Sequence, residues 1–247
     1  MKTCISNALV IAAKVAAPAA LALAAAACAS QPASVKVSPA ATPEEGGMAD
    51  IRSLAPDIAL EIRYAGADNF VGRPVDGYEA GKCFLHRPVA EALARVERDL
   101  RAENLRLKIF DCYRPRRAVL DFMRWVQDAK DQRTKAKYYP DLDKAALLGG
   151  YISPTSGHSR GATLDLTMMR CDAGGRCEPL DMGTGFDYFG PIANTDSPLA
   201  TPAQIANRHR LRDAMHKQGF ENYAMEWWHY TFKPEPTPET SFDFPVR

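Results

Sequence analysis

The chain has 247 residues, with 31 lysines and arginines against 30 aspartates and glutamates, a formal net charge of +1. This balance gives no indication of a nucleic-acid or other polyanionic partner. Once the N-terminal segment is set aside, about 200 residues remain, which suits one globular domain with its own hydrophobic core.

The first 28 residues are typical of a bacterial export signal. Residues 16–27 consist of Ala, Leu and Pro, an apolar run too short to span a bilayer. Small residues precede Cys28, as in lipoprotein signals, where that cysteine carries the lipid. We therefore predict a signal peptide of lipoprotein type at 1–28 with Cys28 lipidated; cleavage near Ala27 without a lipid is the alternative.

The next segment, residues 29–47, has the composition of a flexible tether. It is rich in Pro, Ala and Ser and has no apolar periodicity. The folded domain is then predicted at 48–247. An exported chain of this kind would lie in the periplasm or be anchored to the outer membrane, with membrane contact only through the lipid on Cys28.

Four cysteines fall within the predicted domain. An even number of cysteines in an exported chain indicates two disulfides. Cys171 and Cys177 flank a glycine-containing turn and can meet locally, which leaves Cys83 to pair with Cys112. Buried free thiols are the alternative.

The apolar periodicity predicts strands and helices that do not alternate regularly. Proline at a first helical position and a capping box mark helix starts, and Gly219 marks a helix end. In chain order the predicted elements are strand 58–64, a helix from Pro88, strand 105–109, a helix from Pro115, strand 163–167, helix 201–218 and strand 223–232. This order favours an α+β fold with a central antiparallel sheet flanked by helices.

The strongest chemical signal is the pair His158 and Asp165, which lie on either side of Gly161. A catalytic zinc ion takes three protein ligands of N or O type and keeps one position open. Gly161 has the backbone freedom to turn the chain so that both side chains face one point. His229, near the C-terminus, would be the third ligand.

Two further residues have the chemistry of catalytic groups. Glu226 stands three residues before His229 and could take a proton from water at the metal. Residues three apart on a strand face opposite sides, so we expect a bend near Glu226. Arg114 follows a predicted strand, where its guanidinium could stabilise an oxyanion. The remaining histidines, His86, His209 and His216, are assigned structural or surface roles.

These motifs resemble those of the VanX-type D-alanyl-D-alanine dipeptidases, and the likeness extends over residues 51–247. The other segments that carry it are Tyr64-Ala65, Asp68-Asn69-Phe70, Val75-Asp76-Gly77-Tyr78, Phe186-Asp187, Gly219-Phe220-Glu221 and Phe242-Asp243-Phe244-Pro245. The resemblance implies a zinc-binding α+β fold shared with some cell-wall carboxypeptidases and hedgehog signalling domains, with one Zn²⁺ per chain. It also implies substrate-binding roles for Ser156, Asp187, Tyr64 and Tyr78.

The implied activity is zinc-dependent hydrolysis of the D-alanyl-D-alanine dipeptide, a small substrate. Because an exported enzyme cannot reach the cytoplasmic dipeptide pool, we expect cell-wall peptide turnover or scavenging. Two alternatives remain open at this point. One is a D,D-carboxypeptidase or endopeptidase that acts on longer muropeptides, and the other is a non-catalytic lipoprotein that binds the cell wall.

Overall fold

The computed structural model describes residues 35–247, which form one folded unit. The signal peptide, Cys28 and the start of the predicted tether lie outside the described residues. The strands are β1 (Lys36–Val37), β2 (Met48–Asp50), β3 (Ala59–Leu60), β4 (Phe84–His86), β5 (Leu105–Asp111), β6 (Thr163–Cys171), β7 (Cys177–Pro179), β8 (Phe220–Asn222), β9 (His229–Phe232) and β10 (Thr240–Ser241). The α-helices are α1 (Arg87–Arg101), α2 (Arg116–Gln127), α3 (Lys135–Tyr138) and α4 (Pro202–His216).

A six-stranded sheet organises the fold. Five strands run in the order β3-β5-β6-β9-β8, and β7 pairs with β6. All pairs are antiparallel except β3 with β5, which is parallel. The predicted α+β fold is confirmed, with the short parallel strand β3 as the one departure from an antiparallel sheet. No helix among residues 35–247 is both long and apolar enough to cross a membrane.

The predicted apolar face of the first helix packs into the core. Val89, Leu93, Val96 and Leu100 of α1 are all buried, and the helix lies against β5. Full burial of such a side chain contributes about 1.5–3 kcal/mol relative to leaving it in water. This packing holds α1 against β5 on one side of the sheet.

Three strand predictions are wrong in their extent. Of residues 58–64 only Ala59–Leu60 is a strand, and a 3₁₀ turn follows at Arg63–Ala65. The strand predicted at 163–167 continues to Cys171 because β7 pairs with its far end. Residues 223–232 are not one strand. They form the loop of the β8–β9 hairpin and then β9, because Trp227 N–H donates to the carbonyl of Ala193 instead of joining a strand ladder.

The flexible-tether prediction is wrong for residues 35–47. Lys36 and Val37 pair in parallel with β10, and Ser38 N–H donates to the Ser241 carbonyl at 2.8 Å. Gly46 is buried, and a Cβ added there would lie 2.9 Å from the ring of Phe244. Local composition could not predict this, because the partner segment lies at the other end of the domain.

Both cysteine pairs are joined by disulfides as predicted. Cys83 and Cys112 have Cα atoms 5.2 Å apart and are buried. Cys171 and Cys177 have Cα atoms 4.0 Å apart and close the β6–β7 hairpin, where they are only half-buried.

Candidate active site

The strand register brings three polar side chains together at one end of the sheet. Asp165 on β6 pairs with Asp111 on β5 and with His229 on β9. Directly paired residues on neighbouring strands project from the same face, with Cβ atoms about 4.5–5.5 Å apart. Asp165 therefore lies between Asp111 and His229 on one face of the sheet.

A β-bulge at Phe110 makes this arrangement possible. Ile109 pairs with Leu166 and Asp111 with Asp165, so two steps along β5 match one step along β6. A bulge of this kind turns the following side chain to the other face. Without the extra residue, Asp111 would project on the face of Ile109, away from Asp165.

A 3₁₀ turn, Gly157–Arg160, brings His158 back to the strand end. Gly161 ends this turn with a φ of 71°, and a Cβ there would lie 2.4 Å from the Met48 side chain. The Nδ1 of His158 lies 2.8 Å from the Cys112 carbonyl. A carbonyl can only accept, so Nδ1 carries the proton and Nε2 is free to bind a metal.

The three predicted metal ligands converge. His158 Nε2 lies 3.3 Å from His229 Nδ1 and 3.3 Å from Asp165 Oδ2, and His229 Nδ1 lies 3.0 Å from Asp165 Oδ1. Donor atoms about 2.0–2.1 Å from a tetrahedral zinc ion stand about 3.3 Å apart. Among residues 35–247 this is the one cluster of three or more His, Cys, Asp or Glu with metal-binding spacing.

The surroundings of Asp165 also fit a cation. Its carboxylate is buried, and among the described residues the one nitrogen close to Oδ1, His229 Nδ1 at 3.0 Å, does not form a well-aligned hydrogen bond with it. A buried carboxylate oxygen without a donor is costly unless a cation compensates it. Two imidazoles and a carboxylate are a donor set that zinc accepts. The residues present therefore fit a zinc ion.

Glu226 lies beside this trio without being part of it. It sits in the β8–β9 loop, where its N–H donates to the Tyr223 carbonyl at 2.9 Å. This is the bend that was expected. Its Oε2 is 3.5 Å from His229 Nδ1. Burial, reinforced by the negative charge of Asp165, raises the pKa of Glu226 well above its ordinary value, which suits a group that accepts a proton.

Arg114 approaches the trio at Asp165, whereas Glu226 approaches it at His229. Its Nε donates to Asp111 Oδ2 at 2.9 Å, and a terminal nitrogen lies 3.5 Å from Asp165 Oδ2. The guanidinium also stacks 5.0 Å from the ring centres of Tyr64 and Phe122. These contacts hold a positive charge next to the predicted ligands.

These groups line a cavity of about 300 Å³, at the small end of the range for ligand pockets. Three of the four predicted substrate residues, Ser156, Tyr64 and Asp187, lie on its wall. Tyr64 donates its hydroxyl to the Asp187 carboxylate, 3.0 Å from Oδ2. Burial raises the pKa of Asp187 well above its ordinary value, and its φ of 61° is unusual for a residue other than glycine.

Tyr78, the fourth predicted substrate residue, does not line this cavity. Tyr78 is buried behind the cavity wall, and its hydroxyl donates to Asp111 Oδ1 at 2.6 Å. Asp111 therefore binds both Tyr78 and Arg114 through its two carboxylate oxygens. Asp111 stands three residues before Arg114 in the sequence, which gave no indication that its side chain holds the arginine in place.

The structural roles predicted for the other histidines agree with their positions. His86 is buried with Nε2 2.9 Å from the Thr237 hydroxyl, His209 pairs with Asp196 on the surface, and His216 is exposed. The sequence did not predict the aromatic part of the cavity wall. It is formed by Phe70, Phe122, Tyr151, Phe189, Tyr223 and Trp228.

Comparisons with known proteins agree with this geometry. The family model described as D-Ala-D-Ala dipeptidase, peptidase family M15, matches residues 44–247. A D-alanyl-D-alanine dipeptidase of Streptomyces coelicolor is 45% identical over 81% of this chain and 98% of its own length. Those of Enterococcus faecium and Escherichia coli are 37% and 33% identical, over 82% and 74% of this chain and 100% and 83% of their own lengths.

Among solved structures, the vancomycin-resistance D,D-pentapeptidase VanY, in complex with Zn(II), is a more distant likeness. It has a TM-score of 0.36 and 15% identity over 64% of this chain and 77% of that chain. The family match extends across all the predicted metal ligands and the whole cavity. The chain belongs to the D-Ala-D-Ala dipeptidase family of M15 peptidases.

Proposed function

We propose that this protein is a zinc-dependent dipeptidase that hydrolyses D-alanyl-D-alanine. The observation that carries the proposal is the convergence of His158, Asp165 and His229 beside Glu226, in a small cavity that also contains Asp187. Membership of the dipeptidase family supports the same activity.

The three converging residues would hold one zinc ion. When bound, zinc supplies Lewis acidity, which polarises a peptide carbonyl and makes water acidic enough to lose a proton near neutral pH. The Cys112 carbonyl fixes the His158 ring so that Nε2 faces the metal position. Asp165 contributes the negative charge that partly neutralises the cation.

Glu226 and Arg114 would act directly on the reacting atoms. The Glu226 carboxylate takes a proton from the attacking water and passes it to the leaving amine. The Arg114 guanidinium stabilises the negative charge that develops on the carbonyl oxygen. Its hydrogen bond to Asp111 aligns it before the substrate arrives, so no reorganisation is needed during the reaction.

The cavity wall supports recognition of a free dipeptide. Asp187, aligned by the Tyr64 hydroxyl, would accept hydrogen bonds from the substrate ammonium group. Ser156 would bind at the carboxylate end. A carboxypeptidase or endopeptidase acting on longer peptides would instead place an amide nitrogen against Asp187, which forms no ion pair. A non-catalytic binding protein would have no need of a buried Glu226 beside the metal ligands.

Hydrolysis assays separate these functions. Purified protein is incubated with D-Ala-D-Ala and with an N-acetylated tripeptide ending in D-Ala-D-Ala, each with zinc and with a chelator. We expect zinc-dependent cleavage of the free dipeptide alone. Preferential cleavage of the blocked tripeptide would favour the carboxypeptidase, and the absence of any hydrolysis with zinc bound would favour the binding protein.

We also propose that the enzyme is exported, with Cys28 as the lipid anchor, and that it acts on dipeptides released from cell-wall material. The apolar segment at 16–27 and the two disulfides support export, because disulfides persist mainly in oxidising compartments. Fractionation of cells that express the full chain tests this. Unprocessed, active enzyme found mainly in the cytosol would contradict export and restore a role in glycopeptide resistance.

A further inference from the structure

We propose that the buried disulfide Cys83–Cys112 is a positioning element of the active site, which orients the zinc ligand His158 and the backbone of Arg114. The proposal rests on the zinc-dependent function proposed above. It is specific to one of the two disulfides and therefore has an internal control.

The first contact that carries the proposal is the Cys112 carbonyl, which accepts a hydrogen bond from His158 Nδ1 at 2.8 Å. The second bond of a metal-binding histidine sets its ring orientation and tautomer, and losing such a partner typically weakens metal binding about 10–100-fold. The atom that orients His158 thus belongs to a disulfide-bonded residue.

The segment that carries this carbonyl has few main-chain hydrogen bonds. It follows the bulge at the end of β5, beyond the last ladder pair of Asp111. Its remaining main-chain bonds run from Tyr113 N–H to the Phe84 carbonyl at 3.0 Å and from Arg114 N–H to the His158 carbonyl at 3.3 Å. Beyond Cys112, the side chains of Tyr113 and Arg114 also hold the segment, through the Phe244 carbonyl at 2.9 Å and through Asp111. The disulfide is the covalent link at Cys112 itself, the residue whose carbonyl bonds His158.

The other half of the disulfide belongs to a well-anchored strand. The Cys83 carbonyl accepts from Ile51 N–H at 3.0 Å, and β4, which begins one residue later, pairs with β2. His86 N–H on β4 also donates to the Gly161 carbonyl, at the end of the turn that carries His158. Strand β4 is therefore hydrogen-bonded both to the segment that follows Cys112 and to the 3₁₀ turn that carries His158. The disulfide adds a covalent bond between Cys112 and the residue that precedes β4.

The second disulfide offers the matched control. Cys171–Cys177 closes the β6–β7 hairpin, and six residues of extended strand separate Cys171 from Asp165, a distance of about 20 Å. Neither Cys171 nor Cys177 is among the residues that line the described cavity. Removing it takes away a disulfide without touching the carbonyl that orients His158.

The test compares the wild type with Cys83→Ala/Cys112→Ala, Cys171→Ala/Cys177→Ala and Leu93→Ala. Leu93 is fully buried in α1, so its truncation controls for general loss of stability. Zinc affinity is measured by chelator competition, the His158 tautomer by nitrogen-15 NMR of the zinc-free protein, and kcat and KM with D-Ala-D-Ala at saturating zinc. If the first variant does not fold, Cys83→Val/Cys112→Ala, which restores apolar volume, takes its place.

We expect the Cys83/Cys112 variant to bind zinc about 10–100-fold more weakly, with a mixture of His158 tautomers. Its kcat should fall while KM stays within about twofold, because Asp187 and Tyr64 lie on other segments. The two control variants should keep wild-type zinc affinity and the Nδ1–H tautomer. Unchanged zinc affinity in the Cys83/Cys112 variant, or an equal loss in Leu93→Ala, would overturn the proposal. Failure of the wild type to cleave D-Ala-D-Ala would refute only the proposed substrate, since the zinc and NMR measurements do not depend on it.

Discussion

Replacing Glu226 by Gln should abolish catalysis and leave zinc binding intact. The two side chains have the same shape, so the β8–β9 loop keeps its bonds, including the one from Asn222 to the Glu226 carbonyl at 3.0 Å. Glu226 is not among the three residues that converge on the metal position. The substitution removes the base and leaves the ligands.

The size of the effect follows from what else lines the cavity. General acid–base catalysis contributes typically about 10²–10⁴-fold. The only other carboxylates on the described cavity wall are Asp165, a proposed ligand, and Asp187, which accepts from Tyr64. Neither can substitute for the missing base, so we expect a loss of about 10³–10⁴-fold in kcat, equivalent to about 4–5.5 kcal/mol of transition-state stabilisation.

The assay measures D-alanine release from D-Ala-D-Ala by Glu226→Gln, with zinc content determined on the same samples. Glu226→Asp is the matched control, because it keeps the carboxylate on a shorter side chain and should retain part of the activity. Stoichiometric loss of zinc from Glu226→Gln would show that Glu226 is a ligand. Activity within tenfold of the wild type would show that it is not the base.

Three further predictions concern the metal, the substrate and the fold. His158→Ala and His229→Ala should each lose zinc, because catalytic zinc sites usually need three protein ligands; normal zinc content in either variant removes that residue from the site. Asp187→Asn should lower kcat/KM for free D-Ala-D-Ala by about 10–150-fold, which corresponds to the free energy of one hydrogen bond to a charged group. An unchanged kcat/KM would mean that the substrate ammonium group binds elsewhere. Burial opposes ionisation of Glu235, but its bonds to Arg160 and a neighbouring lysine hold its pKa below the ordinary value of 4.5. A lowered folded-state pKa stabilises the fold above the unfolded pKa, and this stability is lost as pH falls through the folded value. Urea unfolding should therefore show Glu235→Gln less stable than the wild type at pH 7, with the gap closing below about pH 4; a gap that does not change with pH would contradict this.

The chemistry of the site could be read from the sequence because it depends on residue type and spacing. His158, Asp165, His229 and Glu226 stand in short motifs whose donor atoms suit zinc and proton transfer. The bend at Glu226 could be predicted in the same way, since an uninterrupted strand would point it away from His229.

Long-range contacts decided what the sequence could not show. Residues 35–47 have the composition of a tether, but β10 supplies hydrogen-bond partners for β1 from the opposite end of the domain. Tyr78 belongs to a segment that resembles the family, yet only the packed structure places its hydroxyl on Asp111, behind the cavity wall.

The position of Asp111 shows most directly why local sequence patterns could not predict every contact in the site. The sequence alone predicted which residues would carry the chemistry and determined which family of folds presents them, because both depend on local pattern. The face on which Asp111 projects depends on the extra residue at Phe110, and that bulge exists only in the register between β5 and β6. Register is a property of two paired strands, so tertiary structure alone determined how Arg114 is held beside the metal ligands.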